Sequence, residues 1–599
     1  MPESTMQTTC PGAALRIEGG VEQGMVCPDE AQAQRLTLVE LGDAWTPRLF
    51  APGPDGTAPA YRDTYLELAA EHDAQGKPIE GADALGELYG VVPSLSIVRE
   101  RLADAARHTC HGTIDAAPIA LLAKPYAQDH GPLVELNTRR RRFLDKQLEQ
   151  ERVRRKLPDI AALAAIPALA PKVEKWRMLG AQHAGIVAAQ RKLVCEGFLP
   201  EKEADGTMTW RTSNAVELFQ RRNFLMPNER LDPETRAAMV IDSRELDFRL
   251  ALRILRERVV DATGLIEDGT ALDGPQPILE RLLDPEAMRA ARGRSEPMPD
   301  GAPDLVSVAT EAAAKHLGWT SAEQVAAFLT RHGAGVRVAL ALPAPPAYHG
   351  PHMALSAELD RGDVWYDATP IKRKIQKRPT LVVYVDDNGT KRPLVRWPTT
   401  IGGWSDVKNA SGWVHQRWKE SDVGPRVWRE LYAAPTWLPP KSTPDKDLVT
   451  NLYDGTWELK KSIMGPGPRA AYGMVLLVHD NVVKQKDGTA KYWDNGIGSH
   501  GSSSVTSIVN GTSHGCHRLY NQLAVRLADF LLRHREHVAK GQQALTYRRT
   551  VKHKGTFLAK VDTRGFLYEL TPPVPITVLA GTIRSHRKIP PKNAAPVSE

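Results

Sequence analysis

Cysteine is scarce in this chain, with five in 599 residues at positions 10, 27, 110, 195 and 516. So few thiols exclude a scaffold built from disulfides, and the odd count leaves at least one thiol free however the others pair. Cys10 and Cys27 flank a short Gly-rich stretch and form a candidate disulfide, a pairing the sequence leaves open. Long apolar runs are also missing. No stretch reaches the roughly 18–20 apolar residues that a bilayer-spanning helix needs, and residues 1–10 have neither the basic start nor the apolar run of a secretory signal. Thr8-Thr9-Cys10 likewise lacks the apolar stretch that precedes a lipid-modified cysteine. The excess of charge of one sign is small for this length. The formal net charge of +7 is spread along the chain, which is not the footprint of a nucleic-acid binder.

What is present is ordinary soluble composition, 42% hydrophobic and 25% charged, at a length that suits two to four domains. Helical periodicity fills the first half and strand alternation the second. The reading is an α+β multidomain chain, mainly helical at first and mainly β in its C-terminal half. Its divisions are 1–130, Gly/Pro-rich then helical; 131–190, a helical segment; 191–260, a small helical module; and 261–335, a helical connector. Beyond them come 336–379, a strand-rich linker; 380–545, a mainly β domain; and 546–599, strands and a tail.

Local signals refine this picture. Pro158, Pro167 and Pro171 are expected to break 137–190 into short helices. The basic run over 139–156 reads as a solvated helix face. His108-Thr109-Cys110-His111 has the residue types of a metal corner, but a zinc site needs about four ligands and no partner pair stands nearby. Pro297-Met298-Pro299-Asp300-Gly301 marks a loop, and Asp387-Asn388-Gly389 a hairpin turn. A further turn is expected over 562–565, between strands at 556–561 and 566–570. Eight of the 13 Trp fall between Trp397 and Trp493. Most are expected in the core, since a buried indole needs only one hydrogen-bond partner; the rest would line a groove.

The chemistry is concentrated in Ser513-His514-Gly515-Cys516-His517-Arg518-Leu519. A cysteine nucleophile needs a base, backbone donors for a developing oxyanion, and a turn that exposes the sulfur. Gly515 lets the backbone approach a ligand closely. The N–H groups of Gly515 and Cys516 are candidate oxyanion donors, and His500 and His514 candidate bases or orienters. His479 is a rival base, but it stands 37 residues before Cys516 without a following glycine, whereas His500-Gly501 stands 16 before. Asn521 is placed to cap a helix running through Leu523, Leu527, Phe530 and Leu531. A metal site of His500, His514, Cys516 and His517 has suitable ligand types, but three of them fall within four residues, awkward for a tetrahedron.

His500-Gly501, a gap, then Ser513-His514-Gly515-Cys516-x-Arg518 resembles the signature of the L,D-transpeptidase (YkuD-like) family. Pro398-Thr399-Thr400-Ile401-Gly402-Gly403 is similar to the strand-to-turn segment near the start of such domains. Gly465-Pro466-Gly467-Pro468 and Tyr472-Gly473 are similar to the loop before the first motif histidine. The likeness covers roughly 380–545. It departs at His517, where the family usually has Ile or Val, and in the long Trp-rich stretch 403–464. Upstream, Ala215-Val216-Glu217-Leu218-Phe219-Gln220-Arg221-Arg222-Asn223, with Leu225, Leu231-Asp232 and Thr235, resembles a helical peptidoglycan-binding module. Val216, Phe219, Leu225 and Met239 would be its core. The usual turn glycine is replaced by Met226-Pro227-Asn228-Glu229.

The resemblance implies an L,D-transpeptidase that cross-links peptidoglycan through a thioester on Cys516. It implies catalytic roles for Cys516, His500, His514 and Gly515, and substrate binding by Arg518, Ser513 and Gly501. No metal or organic cofactor is implied. The partners would be stem peptides and glycan, without nucleic acid or a transmembrane segment, in an undetermined oligomeric state, in the periplasm or cell envelope. The same residues would serve an L,D-carboxypeptidase or a cross-link hydrolase. A catalytically idle, peptidoglycan-binding envelope protein is the reading from another class.

Overall fold

The computed structural model describes residues 10–53, 55–82, 85–122, 132–272, 298, 301–333, 335–367, 377–409, 411–452 and 454–591. Helices cluster in the N-terminal half and strands dominate 337–583, as the periodicities led one to expect. Pro297, Pro299 and Asp300 of the expected loop, the first nine residues and the tail from Lys592 lie outside the described residues.

The chain divides into two compact units: Met1–Ser96 with Leu252–Trp319 and His332–Glu599, and Ile97–Ala251 with Thr320–Arg331. The second is helical. The prolines expected to fragment 137–190 leave two long helices, Pro132–Arg154 and Ala170–Cys195. Pro158 and Pro167 fall between them, and Pro171 sits in the first turn of the second, where its missing N–H costs nothing. Cys110 is joined to Cys195 in a disulfide, so it is not part of a metal corner. On the basic helix Arg152 pairs with Glu149, and Arg154 and Arg155 with Glu151, a solvated ladder of modest worth. Leu144, Leu148, Val173, Ile186, Leu193, Val216, Phe219 and Met239 fill the unit's core.

A polar hub organises the turn of the small module. Thr209 caps the Trp210–Arg222 helix by accepting the Thr212 N–H. From that helix the buried Gln220 donates to Asn228 Oδ1, the Arg230 carbonyl and Thr235 Oγ1. Its Oε1 accepts the N–H groups of Asn228 and Glu229 at 3.0 Å. Within the Met226-Pro227-Asn228-Glu229 turn, Glu229 takes the left-handed conformation, at φ 62°.

In the other unit, Val21–Val26, Ala14–Glu18, Arg337–Leu340 and Thr37–Glu40 lie side by side in a four-stranded sheet. The Cys10–Cys27 disulfide closes the base of its first hairpin. The larger sheet has nine strands. Its order is His517–Tyr520, Ala490–Ser502, Val475–Lys484, Gly424–Ala433, Thr556–Leu579, Leu355–Asp360, Thr380–Asp387 and Thr390–Pro398, with Glu536–Lys552 paired on Thr556–Leu579. Asn388 and Gly389 link the last two strands of that order with φ of 54° and 83°, the positive pair a two-residue hairpin turn demands. No turn forms over 562–565; these residues lie inside the 24-residue strand Thr556–Leu579. Gly565 is there because a Cβ would lie 2.8 Å from the Ala433 carbonyl; close backbone approach, not chain reversal, requires it.

The core between this sheet and the helix Asn521–His534 contains Trp397, Trp428, Leu431, Leu477, Leu519, Leu527, Phe530, Leu531 and Ile576. Burying each such side chain contributes about 1.5–3 kcal/mol. Asn521 does not cap its helix, which has no side-chain cap at Tyr520. Its amide reaches the Met474 N–H and the Pro468 carbonyl instead.

Candidate active site

Adjacent strands deliver the cysteine and the histidine. Ala490–Ser502 runs parallel to His517–Tyr520 with His500 opposite Arg518, and Cys516 immediately precedes that pairing. The turn bearing the thiol is clamped by the 398–403 segment, whose Ile401–Gly402 strand pairs with Thr512–Ser513. Thr400 Oγ1 donates to the Cys516 carbonyl and accepts the Arg518 N–H, each at 2.9 Å. Thr399 Oγ1 donates to the Arg518 carbonyl at 2.9 Å. Gly515 has φ 120°, and a Cβ there would lie 2.9 Å from Ile497 Cδ1 and 3.1 Å from the Glu420 carbonyl. Only glycine fits.

Cys516, His500, His514 and Arg518 line one cavity of about 360 Å³, together with Tyr472 and Gly496. Ser513, Gly501 and Gly515, also expected at the site, do not line it. The buried Ser513 hydroxyl accepts the Gly515 N–H at 3.2 Å and lies 2.5 Å from the Cys516 carbonyl. The Gly515 N–H is thus already engaged, and of the two oxyanion donors expected from sequence the Cys516 N–H remains. The Cys516 Sγ lies 3.8 Å from the Gly496 carbonyl, to which its S–H is directed.

His500 is 3% exposed. Its Nδ1 is bonded to the Gly501 carbonyl. A carbonyl only accepts, so Nδ1 carries the hydrogen and Nε2 is the basic nitrogen. The Tyr472 ring meets the imidazole edge-on, with centroids 4.9 Å apart. Burial, then the Arg518 charge, pull His500 down to about 3. Burial pushes the Cys516 thiol up to about 11, against the Gly498 backbone and Arg518, which favour thiolate. The resting pair is therefore neutral thiol and neutral imidazole. His514, at the exposed rim, is also drawn below its usual range, by desolvation and then by Arg518 and Lys419. Arg518 Nε is buried without a hydrogen-bond partner among the described residues.

The 403–464 stretch builds the cavity's other wall with Val407, Lys419, Trp437, Thr443, Leu448 and Ile463. Behind the wall, Leu448, Val449, Leu459 and Met464 pack on Val551, Ala559 and Val561 of the Glu536–Lys552 and Thr556–Leu579 hairpin. Trp437 is the one indole of the eight that lines this cavity, and Trp397 and Trp428 are core. Sequence reasoning missed these wall residues, which no motif marks.

His479 and His517 do not line the cavity. Both are fully buried and stacked, with ring centroids 5.4 Å apart, beside Asp422. The metal site considered for His500, His514, Cys516 and His517 is therefore not assembled, because His517 turns inward and bonds the Thr400 carbonyl through Nδ1 at 2.9 Å. Asp422 gave no signal in the sequence. Burial would raise it, but the two imidazoles reverse this and hold its carboxyl well below the usual range.

Comparison with known proteins follows the same division. The family model YkuD, the L,D-transpeptidase catalytic domain, matches residues 374–559. The family model PG_binding_1, for a peptidoglycan binding domain, matches residues 182–239. No curated protein matches the chain. The polar hub at Gln220 lies inside the second match and the cavity motif inside the first. The chain thus carries a peptidoglycan-binding domain followed by an L,D-transpeptidase catalytic domain of the YkuD family.

Proposed function

We propose that the chain forms peptidoglycan cross-links through a thioester on Cys516. The observation that carries this reading is the convergence of Cys516, His500, His514 and Arg518 on one cavity, with the His500 tautomer fixed by the Gly501 carbonyl. Cys516 Sγ attacks the carbonyl carbon between an L-centre and a terminal D-residue of a stem peptide. Its proton passes to His500 Nε2 as the C–S bond forms. The tetrahedral oxyanion is held by the Cys516 N–H, a donor of a kind whose loss typically costs about 3 kcal/mol. Collapse breaks the C–N bond, and His500 returns the proton to the departing amine. An acceptor amine then attacks the thioester, gives its proton to His500, and leaves sulfur to recover it.

Arg518, with its unpartnered Nε, is suited to hold a stem carboxylate rather than to transfer protons, since guanidinium stays charged. His514, at the rim, orients the incoming peptide. The module at 182–239 holds the enzyme to its polymer. Two disulfides favour an oxidising compartment, in keeping with periplasm or cell envelope. Among the described residues no helix is long and apolar enough to cross a membrane.

The test is mass spectrometry on a defined tetrapeptide stem, with and without an amine acceptor. The expected products are a Cys516 acyl adduct and, with acceptor, a cross-linked dimer. Cys516→Ala should form neither. An adduct that persists in Cys516→Ala would sink the reading, and release of the terminal residue without any dimer would assign a carboxypeptidase instead.

A further inference from the structure

Behind the thiol-bearing turn, three buried side chains aim their donor atoms at one another. Asp422 precedes the Gly424–Ala433 strand, His479 lies within Val475–Lys484, and His517 opens His517–Tyr520. His479 and His517 are 0% exposed and Asp422 is 9% exposed. His479 Nδ1 is 3.4 Å from Asp422 Oδ2, and His517 Nε2 is 3.6 Å from Asp422 Oδ1. One ligand atom from each residue falls within 4.8 Å of the other two. Among the described residues, His479 Nδ1, His517 Nε2 and Asp422 Oδ1 are all buried without a hydrogen-bond partner.

These separations exceed the roughly 2.7–3.2 Å of a hydrogen bond. Each lies within the spacing of about 3.3–3.6 Å between neighbouring ligands of a tetrahedral ion with bonds of about 2.0–2.2 Å, with one carboxylate oxygen turned toward each ring. The tautomer of His517 sharpens the point. Its Nδ1 donates to the Thr400 carbonyl at 2.9 Å, which leaves Nε2 as the ring atom facing the carboxylate. A buried ring nitrogen facing a buried carboxylate oxygen beyond hydrogen-bond range is held there by a shared cation, either a proton on the ring or a metal ion. The second ring is held at its outer nitrogen too, with His479 Nε2 on Ser499 Oγ at 2.8 Å. Asp422 Oδ2 takes Arg426 Nε at 3.2 Å and Asn495 Nδ2 at 3.4 Å. Ligands oriented through their outer atoms are the usual surroundings of a bound metal.

We propose that Asp422, His479 and His517 form a buried divalent-cation site, with Zn²⁺ favoured by two imidazoles and one carboxylate. The fourth position is not filled by these side chains. The site is separate from the cavity, since none of its residues lines it. Its ion joins three strand segments and fixes His517, and through it the backbone of Cys516. The role is positional, and it does not rest on the transpeptidase reading.

The test uses the full chain, stripped with chelator and reloaded with ZnCl₂ or CoCl₂. Wild type should retain one equivalent of metal by elemental analysis, and its melting temperature should rise with Zn²⁺. The Co²⁺ form should show visible bands without a sulfur-to-cobalt charge-transfer band. Cys516→Ala should keep both properties, whereas His479→Gln and Asp422→Asn should lose the bound metal and the thermal shift. Folded wild type that takes up less than a tenth of an equivalent overturns the proposal and leaves an imidazolium–carboxylate cluster. Uptake lost in Cys516→Ala but kept in His479→Gln also overturns it, by moving the metal to the thiol.

Discussion

Asn521 Oδ1 fills the space that a side chain at position 501 would need, since a Cβ on Gly501 would lie 2.0 Å from it. The same oxygen accepts the Met474 N–H at 3.2 Å, and Asn521 Nδ2 donates to the Pro468 carbonyl at 3.0 Å. This amide sets the distance between the His500 strand and the chain entering Val475–Lys484.

Gly501→Ala should therefore displace the carbonyl that orients His500. A misplacement of about 1 Å costs roughly 10²-fold in rate, with KM little changed. Asn521→Ala leaves a buried N–H and a buried carbonyl unpartnered, at about 1–3 kcal/mol each. The double variant should be less unstable than the sum of the two singles, because removing Asn521 makes room for the new methyl. Strictly additive urea midpoints would contradict this coupling.

A thiol at about 11 beside an imidazole at about 3 is uncharged at neutral pH. With the other four cysteines paired, Cys516 is the one free thiol. Its alkylation by iodoacetamide should climb about tenfold per pH unit above 7, following the thiolate fraction. A plateau below pH 8 would instead indicate a preformed thiolate–imidazolium pair.

The same histidine makes the fold sensitive to acid. Its folded value of about 3 lies below the ordinary 6.5, so below that pH the unfolded chain takes up the proton first. The stability is complete above about 6.5 and is lost progressively as pH falls toward about 3. At pH 4.5 the loss is roughly 2–3 kcal/mol, to be read from urea midpoints. His500→Gln should shift less between pH 7 and 4.5 than wild type; an equal shift would assign the effect to other groups.

Glu229 holds a left-handed backbone at φ 62°, a conformation that costs a residue with a Cβ about 1–2 kcal/mol. Glu229→Gly should relieve part of this. The expected gain is up to about 1 kcal/mol, seen as threefold to fivefold slower amide exchange across Trp210–Arg222. Unchanged or faster exchange would mean that the Gln220 bonds already offset the strain.

The motif of the candidate site was legible because its residues are local: Gly515, Cys516 and the His500-Gly501 pair stand close in sequence. The Asn388-Gly389 turn was legible for the same reason. The cavity wall and Asp422 were not, because their roles come from contacts between distant segments. Asn521 reads as a helix cap until the chain brings Met474 and Pro468 to it. Pro171 reads as a breaker, yet it opens a helix, since only its place within the helix decides which.

The strand Thr556–Leu579 lies in the middle of the nine-stranded sheet, between Gly424–Ala433 and Leu355–Asp360. The family match spans only 374–559 and so leaves out most of that strand and the whole of Leu355–Asp360. Homology limits and mechanical limits therefore disagree. A fragment trimmed to the match would keep every motif residue and yet be split down the centre, so the smallest autonomous enzyme must begin before Leu355 and extend past Leu579.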